Sequence, residues 1–109
     1  MKQQDVIAAL GALAQDSRLE VFRLLVRTGK EGLAAGDIAQ RLGIPASSLS
    51  FHLSQLHEAG LVSQRREGRS LIYSADYASM NALMAFLTEN CCEGEGCEAT
   101  AAPRTAGAC

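Results

Sequence analysis

With 109 residues, 48% of them hydrophobic and 20% charged, the chain has room for one domain with one modest core and is too apolar to stay disordered. No apolar run approaches the roughly 20 residues of a membrane span, and the first seventeen residues, MKQQDVIAALGALAQDS, are too polar for a secretory signal. The formal net charge of −2 argues against a wholly basic nucleic-acid binder, but the charge is uneven: residues 1–88 carry net +1, and the rest, with Glu89, Glu93, Glu95 and Glu98 against Arg104, carry net −3.

Val6 to Leu13, with Val6, Leu10 and Leu13 at helical spacing, predicts a short first helix. In SRLE, Ser17 and Glu20 form a capping-box pattern that opens a second helix, with Leu19, Phe22, Leu25 and Val26 on its buried face and Gly29 at its end. KEGLAAG reads as a connector. A short helix follows from about Ala35 to Leu42, stopped by Gly43. Pro45 suits the first turn of the next helix, which runs to about Ala59 and buries Leu49, Leu53 and Leu56. LVSQRREGRSLIYSA then predicts a β-hairpin turning at REGR. A last helix is expected from about Asp76 to Asn90, and its apolar set (Met80, Leu83, Met84, Phe86, Leu87) is wider than one buried stripe needs. After Cys97 the small polar tail has no periodicity and is expected to be mobile.

The pair of helices joined at Gly43 has the length and spacing of a helix-turn-helix, whose second helix enters the major groove. Away from its leucine stripe that helix offers Ser47, Ser48, Ser50, His52 and Gln55, side chains able to meet base edges or phosphates. Alone, PASSLS reads as well as the start of any serine-rich helix. The hairpin adds Arg65, Arg66 and Arg69 near its tip. A solvated charged turn would explain them, but phosphates or a minor groove give mutually repelling arginines a partner.

DIAQRLGIPASSLSFHLSQLHEAGLVSQRREGRSLIYS resembles the winged helix-turn-helix of the ArsR/SmtB family of metal- and metalloid-responsive repressors, and LAQDSRLEVFRLL resembles that family's second helix. The resemblance implies a mainly α fold with a two-stranded β-wing over residues 1–90, and a homodimer joined through the first and last helices. It also implies an operator of double-stranded DNA containing an inverted repeat. Phe51 stands in the reading helix where many members carry a polar residue; it contacts a thymine methyl or packs inward.

The family's sensing residues vary in position. GLAAGDIAQ lacks the cysteines of one arsenic-sensing arrangement, and the last helix lacks the histidines of the zinc-type site. What remains is the C-terminal segment, residues 91–109, with Cys91, Cys92 and Cys97. In a cytoplasmic protein clustered thiols signal metal or redox chemistry. Three thiolates suit trivalent arsenic or antimony, whose lone pair takes the fourth direction. Adjacent cysteines lie about 100° apart on a helix, so the helix must fray there, with Gly94 and Gly96 letting Cys97 fold back. Some arsenic-responsive members of the family carry such a C-terminal site. A Zn²⁺ or Cd²⁺ site completed by Cys109 and a thiol redox switch are the alternatives. An enzyme is not expected. The cysteines follow a helix C-terminus among glutamates, which raises thiol pKa, and no catalytic constellation or site for an organic cofactor is visible. A metallothionein-like buffer would be rich in cysteine throughout.

The expectation is therefore a cytoplasmic, dimeric DNA-binding repressor released from its operator by As(III), or Sb(III), at the C-terminal thiolates.

Overall fold

The computed structural model describes residues 1–91. The elements run α1 (Gln3–Leu13), α2 (Asp16–Thr28), β1 (Leu33–Ala34), α3 (Ala35–Leu42), α4 (Ala46–Glu58), β2 (Val62–Glu67), β3 (Ser70–Ala75) and α5 (Tyr77–Leu87). The fold is mainly helical with an antiparallel hairpin, a winged helix-turn-helix. One core joins the helices: Val21 and Leu25 of α2, Ile38 of α3, Leu49, Leu53 and Leu56 of α4, and Leu61 are all but inaccessible. Among the described residues no polar or charged side chain is buried, so specificity of packing rests on shape and on backbone hydrogen bonds.

Two helix starts are set by the side chain of the N-cap residue itself. At α2 the Oε1 of Gln15 accepts the Arg18 N–H at 2.9 Å, so the helix begins at Asp16 and not at a Ser17–Glu20 capping box. Gln15 wins because it is extended and already placed to accept an N3 amide as the chain leaves α1. At α5 the Asp76 carboxylate accepts the Ser79 N–H at 3.0 Å. The face of α2 also differs from expectation. Val21, Phe22, Leu24 and Leu25 are buried, whereas Leu19 is 43% exposed. Apolar residues ring much of α2, and its contacts with α1, α4 and β3 decide which of them turn inward.

The connector after α2 holds a strand. Leu33 and Ala34 pair with Tyr73 and Ile72, so the sheet has three strands in the order β1-β3-β2, and the hairpin is rooted on the helical body. In the hairpin Val62 pairs with Ala75 and Glu67 with Ser70, which leaves Gly68 and Arg69 as a two-residue turn. Gly68 has φ +63°, the left-handed value such a turn demands at this position. Gly32 approaches β3 so closely that a Cβ there would strike the carbonyl oxygen of Tyr73, and its φ is +72°. Gly32→Ala is therefore expected to cost about 2 kcal/mol, against about 1 for Gly43→Ala, whose φ is also positive but whose surroundings are open. Thermal unfolding of the two variants checks this; equal losses would show that β1 can shift away from β3.

Helix α5 is anchored at its start, where the Tyr77 hydroxyl donates to the carbonyls of Val26 (2.8 Å) and Leu25 (3.3 Å) at the end of α2. It stops at Leu87, three residues before the expected Asn90. The Thr88 hydroxyl bonds back to the Met84 carbonyl at 2.9 Å, and Asn90 takes φ +58°. Leu83 alone on α5 is fully buried, with Met80 and Phe86 packed against the core. Met84 and Leu87 remain 57% exposed, as do Ile7 (60%) and Leu10 (42%) on α1, the helix that packs beside α5.

Candidate nucleic-acid interface

The turn between α3 and α4 is made by Gly43 in the left-handed region (φ +68°, ψ +31°) and by Ile44, whose N–H bonds the Ala39 carbonyl at 3.1 Å. Pro45 is the N-cap of α4, one residue earlier than expected, and its carbonyl accepts the Leu49 N–H at 2.9 Å. These constraints lock α4 onto α3, while the Leu49, Leu53 and Leu56 stripe seats it on the core.

A helix advances about 100° per residue, so the seating of that stripe settles where every other side chain of α4 points. Ser47, Ser48 and Ser50 are exposed, and so are Ser54 and Phe51. Phe51 lies roughly 165° round from the stripe and is 56% exposed. His52 and Gln55 sit on the flank and are half-buried. The Nδ1 of His52 is 3.4 Å from Nη1 of Arg18, whose Nε donates to the Ala12 carbonyl at 2.7 Å. Gln55 borders an open groove of about 330 Å³ between α1 and α4, with Ala8, Gly11, Arg18 and Glu58. The outward face is thus a field of serine hydroxyls around one phenyl ring. Ser54 was legible at i+4 from Ser50 by the periodicity that locates the leucines.

The three wing arginines separate. Arg65 is engaged by the protein itself: its Nε bonds Glu67 Oε2 at 2.8 Å, and its Nη2 and Nη1 donate to the carbonyls of Glu31 (2.9 Å) and Lys30 (3.4 Å). It ties β2 to the loop between α2 and β1. The mutual repulsion that the sequence suggests is met at this residue by Glu67. Arg66, one position on, points to the other face of β2, and Arg69 stands in the turn; both are exposed.

Of the four cysteines, Cys91 is within the described residues. It is half-buried just beyond α5, its N–H bonded to the Thr88 carbonyl at 2.9 Å. Cys92, Cys97 and Cys109 lie outside the described residues, and with them the proposed thiolate clamp. Among the described residues no three His, Cys, Asp or Glu side chains are grouped to hold a metal, and no helix is long and apolar enough to cross a membrane.

Known proteins share this arrangement. The family described as a helix-turn-helix domain matches residues 13–65. The nodulation protein NolR of Rhizobium meliloti is 34% identical over 91 residues, 81% of this chain and 72% of NolR. An ArsR-like transcriptional regulator from Rhodococcus sp. RHA1 superposes with a TM-score of 0.73 at 26% identity, over 84% of this chain and 83% of that one. The homodimeric winged helix-turn-helix DNA-binding domain of Mb0332 from Mycobacterium bovis, a possible ArsR-family regulator, does so with a TM-score of 0.63 at 30% identity, over 84% and 85%.

Proposed function

Because the chain belongs to the ArsR/SmtB family of winged helix-turn-helix transcriptional regulators, we propose that it is a homodimeric repressor released from operator DNA by trivalent arsenic or antimony. It is a regulator, not an enzyme. The observation that carries DNA reading is the outward face of α4, where Ser47, Ser48, Ser50, Phe51 and Ser54 are exposed on a helix seated by its leucines. Hydroxyls there meet base edges and phosphates, and Arg66 and Arg69 of the wing meet flanking phosphates.

Dimerisation is supported by Ile7, Leu10, Met84 and Leu87, exposed on the adjacent helices α1 and α5. Apolar side chains so grouped mark an interaction surface. A second copy joined there doubles the reading unit and calls for an inverted repeat with half-sites about one DNA turn, or roughly 34 Å, apart.

The effector reading rests on thiol chemistry. Arsenous acid exchanges three hydroxyls for three thiols, releasing three waters, and the resulting As–S₃ pyramid requires Cys91, Cys92 and Cys97 to converge. Soft thiolates favour such an ion over hard cations. Cys91 follows α5 by four residues, and α5 carries Met84 and Leu87. Gathering the thiols at this helix end alters the surface that sets the spacing of the two reading helices. By linkage, operator DNA then weakens arsenic binding by the factor with which arsenic weakens DNA binding.

The test is fluorescence anisotropy of the dimer on an inverted-repeat promoter duplex under reducing conditions, with arsenite added and, separately, Zn²⁺. Release at near-stoichiometric arsenite and none with Zn²⁺ is expected. Release by Zn²⁺ alone would overturn the arsenic reading in favour of a divalent-metal sensor, and failure of both would leave oxidation of the thiols as the signal.

A further inference from the structure

We propose that Phe51 is a specificity-determining residue that reads the 5-methyl group of a thymine in each operator half-site. The inference rests on the DNA-reading function proposed for α4 and adds to it the base that the helix selects.

Three observations converge on this side chain. Phe51 is the sixth of the thirteen residues of α4, in the N-terminal half that a helix-turn-helix presents to base edges. It is 56% exposed although it is a large apolar group, and its neighbours on that face are the hydroxyls of Ser47, Ser50 and Ser54. Its ring also has an aromatic neighbour. The His52 ring lies edge-on to it, with centroids 5.8 Å apart and planes at 62°, and His52 is in turn 3.4 Å from the Arg18 guanidinium, itself bonded to the Ala12 carbonyl. The ring therefore points outward with one aromatic neighbour on its edge.

The chemistry of the major groove decides what such a ring meets. A phenyl group makes no hydrogen bond to the N7, O6, N6 or N4 positions, and the groove's one apolar group is the thymine methyl. Serine hydroxyls accept from donors and donate to acceptors alike, and so discriminate poorly among bases. On this face, then, selectivity for one base falls to Phe51.

The test starts from a randomised duplex library carrying an inverted repeat, from which wild type and Phe51→Ser are each allowed to select binding sequences. A thymine enriched at one half-site position by wild type and absent from the Phe51→Ser set is expected. In the selected duplex, replacing that thymine by deoxyuridine removes one methyl. Wild type should then bind about fourfold more weakly per half-site, or about fifteenfold with both changed, the worth of one buried methyl each. Phe51→Ser should bind the thymine and uracil duplexes alike. A methyl dependence unchanged in Phe51→Ser, or absent from wild type, would overturn this inference alone. If wild type selected no sequence at all, the DNA-reading function would fall and this inference with it.

Discussion

A Cys97→Ser repressor is expected to hold operator DNA as tightly as wild type and to need roughly 10²–10⁴-fold more arsenite for release, the range over which a tethered third ligand strengthens a two-point attachment. A serine hydroxyl does not replace As–OH as a thiol does, so in the proposed clamp the variant would offer arsenic two sulfurs where wild type would offer three. The third thiol is already bound to the same chain, which makes its attachment intramolecular. Cys109→Ser, by contrast, should leave arsenite release where it was. Both are read by titrating the protein–DNA complex with arsenite under reducing conditions. A Cys97→Ser variant that still releases at wild-type arsenite would sink the three-thiol clamp, and loss of release in Cys109→Ser would move the tail cysteine into the site.

The wing provides the second large effect. Arg66 and Arg69 are exposed, and in the proposed complex each meets a phosphate in both protomers. At about 1 kcal/mol per charge-assisted contact and four contacts per dimer, the double variant Arg66→Ala/Arg69→Ala should bind roughly 10³-fold more weakly. The slope of log K against log salt should become shallower by roughly 3–4, since each phosphate contributes about 0.9. Thermal stability should not change. Arg65→Ala should behave in the opposite way. Its guanidinium ties Glu67 and the carbonyls of Lys30 and Glu31, so its loss should lower Tm by roughly 4–8 °C, about 1 kcal/mol for a part-exposed set of bonds. A salt slope that fell with Arg65→Ala while Tm stayed constant would make Arg65 a phosphate ligand.

The contrast between Arg65 and its neighbours shows where reading a chain by residue type stops. Three arginines in five positions look alike in sequence, yet one of them closes a sheet onto a loop some thirty-five residues earlier. Nothing local announces this, because the partners are backbone carbonyls, which every residue has. The same holds for β1. KEGLAAG carries no strand signal of its own, and Leu33 and Ala34 become a strand because the edge of β3 stands beside them and Gly32 admits the close approach.

Local rules did reach far. The leucine period of α4, the left-handed Gly43, the two-residue turn at Gly68 and the Asp76 cap are each dictated by a few neighbouring residues. Together they specify the helix-turn-helix and the hairpin. They miss where a choice lies between local options of similar energy. At the start of α2 the sequence points to Ser17 as the cap, and the path of the chain out of α1 selects Gln15 instead. On α2 apolar residues on several sides compete, and contact with α1, α4 and β3 buries Val21 and Leu24 instead of Leu19.

By itself, then, the sequence determined the class of fold and the second helix of the helix-turn-helix with its hydroxyl face, since these depend on side-chain type at short spacing. The tertiary structure alone decided that Arg65 braces the wing and that His52 turns toward Arg18. Those outcomes depend on which surfaces meet across the core, and burial of apolar area, which sets that, is a property of the whole assembly of helices rather than of any one segment.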